Sequence, residues 1–354
     1  MKLLLCHPGA SFSTADVYTG LRAGMERMGV ELVHYAMDGR VDVAGSWLMH
    51  SWRKGGKREV KPSPADIVYQ ASTGIIERAL RHQVDWVLII SAMYIHPDAL
   101  ILLRRAGVRV AILFTESPYD DDWQLKYAGI GNVCWVNERA SVERFRAAGH
   151  ECYYWQHAID PARHDTSGDD EALPAHDVVF VGTGFQERIE TLAAVDWDGI
   201  DLGLYGSWSL LGSRHRLRRH LCGGVVPNHM TAGLYRRAKI GLNLHRQSIG
   251  FGREAPRIEH AESMNPRCYE LAACGRFFLS DYRAEMRDVF GDLVPTFTTP
   301  DELETLTRHY LAHDAERERI AARLPAMVVD HNFYERARSM VRVLSQETAA
   351  SLHL

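Results

Sequence analysis

Short unbroken apolar runs alternate along the chain with longer stretches whose apolar residues return every three or four positions. The runs Leu3–Cys6, Glu31–Tyr35, Trp86–Ser91, Val108–Phe114, Val133–Val136 and Cys152–Trp155 predict strands. Between them Ala15–Met28, Ala65–Arg81, Pro97–Arg105 and Arg139–Ala148 predict amphipathic helices. Strands that are apolar throughout belong to a parallel sheet with helices on both faces. The polar, acidic segment Asp165–Asp177, broken by Gly168 and Pro174, reads as a linker. The pattern then restarts: Val178–Val181, Asp201–Tyr205, Ile240–Leu244 and Phe277–Leu279 predict strands, and Gln186–Val195 a helix. From Asp301 onward the periodicity is helical, in Asp301–His313, Ala315–Ala326 and Tyr334–Ser345.

These elements predict an α/β protein of two Rossmann-like, doubly wound domains facing a central cleft, with a helical C-terminal tail. The expected divisions are 1–164, a linker at 165–177, a second domain at 178–330, and a closing helix at 331–354 that packs back on the first domain. A length of 354 residues fits two cores better than one. Apolar residues at 46% and charged residues at 24% exclude a disordered chain. A net charge of −4 excludes an indiscriminate polyanion binder. Cys6, Cys134, Cys152, Cys222, Cys268 and Cys274 are scattered without a Cys-x-x-Cys pair, as expected of reduced thiols in a cytoplasmic protein. Met1–Cys6 is too short for a secretory leader, and the longest apolar stretch, Trp86–Ile95, is too short to span a bilayer.

Candidate chemistry gathers in the second half. Asn265-Pro266-Arg267 is built as a helix start, with a good N-cap residue and proline at the first helical position, and Gly275 suits a left-handed C-terminal cap. The unpaired N–H groups of such a start, with Arg267 in the first turn, favour a phosphate. Glu270, one turn further in, is placed to grip the hydroxyls of an attached sugar. Val178-Val-Phe-Val-Gly182-Thr-Gly184-Phe-Gln-Glu-Arg188 is a strand, a glycine turn and a helix start. Its glycines permit close approach of a diphosphate, which Arg188 would neutralise. Glu187 stands where a dinucleotide fingerprint needs its third glycine, so this is no NAD motif. Tyr205-Gly-Ser207-Trp208 ends the next strand and offers aromatic rings to a nucleobase; an ordinary strand end with buried aromatics is the equal alternative.

In the first half, His7 ends the first strand and Glu116 follows the strand Ala111–Phe114, both facing the expected cleft. Tyr119-Asp120-Asp121-Asp122 is explained by a loop and a helix cap, and no histidine spacing matches a metal site, so no metal is expected. Two basic segments remain: Arg53, Lys54, Lys57 and Arg58, and a second containing Arg216 and Arg219. Charge runs are usually solvated faces, but both follow strand regions and would line the expected cleft as a polyanion groove.

Taken together, Asp177–Arg188, Tyr205–Trp208, Tyr235–His245, Asn265–Gly275, Glu316–Ala321 and His331–Ala337 resemble the glycosyl transferase group 1 module of the spore-maturation (CgeB-like) family, within the two-Rossmann GT-B glycosyltransferases. The resemblance covers about half the chain. It implies a nucleoside diphosphate sugar donor, UDP or GDP linked, no obligatory metal or cofactor, and retention of anomeric configuration. Glu262 and Glu270 match the family's Glu-x7-Glu spacing. Gly182, Gly184, Arg188, Tyr205, Ser207, Trp208, Asn265, Arg267 and Glu270 are then the expected donor residues. Arg188 and Arg267 act on the leaving diphosphate, and His7 and Glu116 act toward the acceptor. The acceptor hydroxyl stays open between a glycan, a lipid, a small molecule and a hydroxymethylated DNA base. A sugar-nucleotide epimerase and a non-catalytic nucleotide-sugar binder are the rival classes.

Overall fold

A computed structural model of the chain describes residues 1–9, 13–57, 60–168, 170–248, 257–258 and 260–351. It divides into two units, Met1–Gln156 together with the chain from Phe333, and His157–Asn332. The first unit runs β1 (Lys2–His7), α1 (Ala15–Arg27), β2 (Glu31–Ala36), α2 (Arg40–Lys54), α3 (Pro64–His82), β3 (Trp86–Ile90), α4 (Pro97–Arg105), β4 (Arg109–Phe114), α5 (Asp121–Ala128), β5 (Val133–Val136), α6 (Arg139–Ala147) and β6 (Cys152–Tyr154). Its strands pair in parallel in the order β2-β1-β3-β4-β5-β6. Leu3 to Leu5 and Trp86 to Ile90 are fully buried, as strands covered on both faces must be.

The second unit runs β7 (Val178–Val181), α7 (Gln186–Ala194), β8 (Leu202–Tyr205), a 3-10 turn (Arg216–His220), β9 (Leu221–Gly223), α8 (Asn228–Arg237), β10 (Ile240–Asn243), α9 (Pro266–Ala273), β11 (Phe278–Asp281), α10 (Ala284–Phe290), β12 (Thr296–Phe297), α11 (Pro300–Ala312), α12 (Asp314–Ala321) and α13 (Leu324–Val328). Its sheet, also parallel, has the order β12-β11-β10-β7-β8-β9. The winding reverses between β7 and β10, where an open α/β sheet leaves a crevice at its carboxyl edge.

The chain then returns to the first unit as α14 (Phe333–Ser351). α14 lies against α1, where Gly20 and Gly24 leave room for the Phe333 ring and for Ala337. Trp86 Nε1 donates to Thr348 Oγ1 at 3.0 Å from the far end of this helix. The segment 165–177 is bonded to the second unit: Arg236 holds Asp170 through two nitrogens at 2.6 and 3.1 Å, and Lys239 pairs with Asp177 at 2.8 Å. First-unit packing therefore ends at Gln156 and resumes at Phe333, while 165–177 is anchored side chain by side chain. No helix among the described residues is long and apolar enough to cross a membrane.

Candidate active site

At the carboxyl edge of the second sheet, α9 begins at Pro266 with Asn265 in an extended conformation before it. The asparagine does not cap the helix with its side chain, and its Oδ1 and Nδ2 are buried without a partner. A buried polar group without a hydrogen bond costs about 1–3 kcal/mol. The other end closes by the expected left-handed route: Gly275 has φ +61°, Gly275 N–H donates to Ala272 O, and Arg276 N–H to Leu271 O.

Arg267 spans the reversal point of the sheet. Its Nε donates to Val181 O at the end of β7 (2.9 Å), and Nη1 to Asn243 Oδ1 at the end of β10 (2.9 Å). Nη2 lies over the α-carbon of Gly182, where any Cβ would collide with it. Asn243 is fully buried and is itself held by Nδ2 donating to Ser280 Oγ at 2.9 Å. Arg188, in the first turn of α7, is 6% exposed, and its Nη1 donates to Thr183 O at 2.9 Å while Nε has no partner. Both guanidiniums lie over the same Phe180 ring, Arg188 at 5.4 Å and Arg267 at 4.6 Å from its centroid. Burial first, and then the neighbouring Arg267, push the Arg188 guanidinium down to about 9. Among the described residues neither arginine makes a salt bridge to a carboxylate. Two cations, Arg188 buried and Arg267 half-buried, thus crowd together beside a helix N-terminus, where backbone N–H groups and positive charge favour an anion.

Next to them is a pair that the sequence reading assigned no role. His245, just past β10, is 4% exposed and its Nδ1 lies 2.6 Å from Asp281 Oδ1 at the end of β11. The same carboxylate accepts from the His245 backbone N–H at 3.0 Å. With Arg188, these residues line a cavity of about 70 Å³ that also borders Thr298 and Pro300. Burial holds His245 below 6.5, against the pull of Asp281. Burial raises Asp281, but His245 and Arg283 outweigh it and hold the carboxyl low. Glu187, in the same turn as Arg188, accepts from Gln247 N–H at 2.7 Å and so ties the β10 loop to α7. The only earlier signal for the pair was position: both residues sit at carboxyl ends of parallel strands.

A histidine kept below 6.5 in the fold binds its proton more readily when unfolded, so its contribution to stability is full above 6.5 and declines as pH falls below it. His7, His34 and His220 are lowered too, with burial as the leading cause in each. We predict a thermal midpoint that drops by a few degrees between neutral pH and pH ~5.5 at constant ionic strength. A midpoint that rises with acidification would show the sign to be wrong.

The glycines serve differently from the expectation. Gly182 N–H donates to Tyr205 O and Gly184 N–H to Ser207 O, so neither amide is available to a diphosphate. Their value is close approach: a Cβ on Gly184 would enter the Trp208 ring. Tyr205 and Trp208 are each 6% exposed. The Tyr205 hydroxyl lies 2.9 Å from His176 Nε2, and Trp208 packs edge-on against Phe180 at 5.8 Å, so neither ring offers a free face to a base. Ser207 is half-buried between them. Glu270 is partly exposed one turn beyond Arg267, with Tyr235 Oη 3.5 Å from its carboxylate. Glu262 is exposed, and its carbonyl accepts from Glu285 N–H.

In the first unit His7 is 7% exposed at the end of β1, stacked on Tyr18 at 3.6 Å between centroids, with Nδ1 unpartnered. Glu116 is half-buried after β4, its carbonyl accepting from Tyr119 N–H. Asp121 and Asp122 are engaged by α6, Asp121 accepting from Ser141 Oγ at 2.6 Å and Asp122 pairing with Arg144. Arg53, Lys54 and Lys57 are exposed, with Lys57 Nζ 5.7 Å from the Trp52 ring centroid, and Arg58 lies outside the described residues. Arg216 and Arg219 require a correction. They precede β9 and bind the turn before β8, Arg216 through Val195 O and Arg219 through Asp198 at 2.8 Å. Both therefore lie at the amino edge of the sheet, opposite the arginine pair, because parallel strands put all their starts on one side.

Residues 186–342 match the family model described as glycosyl transferase-like. By that match the chain is similar to glycosyltransferases over residues 186–342. It is 22% identical over 249 residues to spore protein CgeB of Bacillus subtilis (strain 168), an alignment covering 68% of this chain and 76% of that protein. Sucrose-phosphate synthase from Thermosynechococcus elongatus superposes with a TM-score of 0.68 at 14% identity, over 99% of this chain and 100% of the other. HepE from Anabaena in complex with UDP-glucose gives 0.66 at 13% identity, over 98% and 100%. The fold is thus that of the GT-B proteins, with two parallel Rossmann-like sheets and a helical C-terminal end.

Proposed function

We propose that the protein transfers a sugar from a nucleoside diphosphate sugar, UDP or GDP linked, to an acceptor hydroxyl, with retention and without a metal. The observation that carries this reading is the Arg188–Arg267 pair over Phe180, Arg188 buried and Arg267 half-buried, cationic and without a carboxylate salt bridge, at the sheet reversal beside the α9 N-terminus. A diphosphate supplies the missing charge. The structural relative HepE, seen with UDP-glucose, supports the donor class.

In this reading, Arg267, Arg188 and the first N–H groups of α9 stabilise the negative charge that grows on the leaving diphosphate, which is the main catalytic contribution. The unpartnered Asn265 amide bonds the same group or its sugar, and Glu270 receives the ribose hydroxyls. His7 and Glu116 act on the acceptor side, with His7 neutral because burial lowers it. Glycan, small-molecule and DNA hydroxyls are the acceptor classes to be screened.

A thermal-shift panel of UDP-, GDP-, ADP- and TDP-sugars tests the donor, repeated with EDTA. One nucleotide should raise the midpoint, chelator present or not; a flat panel would end the proposal. Glu270→Ala should weaken that donor by about one to two orders of magnitude, for the loss of charged hydrogen bonds of roughly 1.5–3 kcal/mol. Calorimetric titration of the variant decides it, and unchanged affinity would remove Glu270 from the site.

A further inference from the structure

α2 runs for 15 residues and buries only Ala44. Helices of globular proteins are held by an apolar stripe packed on a core. α2 packs against α3, with Gly45 close to Ile67, yet Val43 is 70% and Trp47 57% exposed. Val43, Trp47, His50 and Lys54 are spaced by four, three and four positions and fall in one narrow arc of the helix, and His50 and Lys54 are exposed as well. The helix then runs into a basic stretch. Residues 53–61 carry five positive side chains and one negative, and of the described ones Arg53, Lys54, Lys57 and Lys61 are all exposed.

We propose that this face of α2 is an interfacial anchor for an anionic lipid surface. Val43 and Trp47 enter the headgroup layer, and Arg53, Lys54, Lys57 and Lys61 meet the headgroup charges. Tryptophan suits this boundary because its ring is apolar and its N–H stays hydrated at headgroup depth. Basic residues beside an apolar face are the other half of such a surface. A nucleic acid satisfies the charges but leaves Val43 in water, so a lipid surface matches both parts of the patch. This inference is independent of the donor site, which lies in the other unit.

The test is cosedimentation of the full chain with vesicles of phosphatidylcholine alone, and with one third of the lipid replaced by phosphatidylglycerol. Binding should appear only with the anionic vesicles and fall steeply with salt. Trp47→Ser should weaken it by at least about tenfold, the loss of one buried apolar side chain. The double variant Arg53→Glu, Lys54→Glu should weaken it by about fivefold or more for each charge. These positions are exposed, so circular dichroism should be unchanged. Equal binding to neutral vesicles, undiminished binding by Trp47→Ser, or tighter binding of a single-stranded oligonucleotide than of anionic vesicles would each overturn the proposal.

Discussion

Replacing Arg267 with alanine is expected to weaken nucleotide-sugar binding by roughly two to three orders of magnitude, from the loss of charge-assisted bonds worth about 1.5–3 kcal/mol each. The guanidinium joins the ends of β7 and β10 while placing Nη2 beside Gly182, so structural bonds fix its plane at the end of the sheet. Lysine is a point charge with no fork and cannot reach Val181 O and Asn243 Oδ1 while also meeting a phosphate. Arg267→Lys should therefore recover less than about a tenth of the lost affinity. Calorimetric titration on folded protein measures both variants. Affinity within twofold of the parent for Arg267→Ala would remove the arginine from the donor site.

The second large effect is expected in stability. Gly206 has φ +117°, and a Cβ there would fall on the carbonyl of Gly182. Neither backbone can yield, because Gly182 N–H is bonded to Tyr205 O and Gly206 N–H to Gly224 O. Gly206→Ala should cost about 3–5 kcal/mol, combining a backbone region closed to L side chains with overpacking against a main chain. Urea unfolding followed through hydrogen exchange of the buried β7 and β8 amides gives the loss in this unit. A midpoint like that of the parent would show that the two turns are not pressed together.

The strands were legible because burial on both faces demands unbroken apolar runs, and Leu3–Cys6 or Trp86–Ile90 admit no other reading. α2 was harder to read: Val41 and Ala44 pack on the core at helical spacing, but the outward Val43 and Trp47 blur that stripe. The start of α9 was readable from Asn265, Pro266 and Arg267, since a helix start has its own local chemistry. What local chemistry does not specify is direction. Tyr205 and Trp208 could face a ligand or the core with the same sequence, and they face the core. The charges at Arg216 and Arg219 carried no mark of which sheet edge they would occupy. His245 and Asp281 lie 36 positions apart, and only parallel pairing of β10 with β11 makes them neighbours.

Because α14 completes the first unit by covering Gly20 and Gly24 of α1, that unit is assembled from two stretches of chain that flank the second. During synthesis its strands emerge first, but its last helix emerges only after the whole second unit. The domain that is written later can therefore finish folding earlier, and until Phe333 arrives the α1 surface is left with its glycine notches open to water.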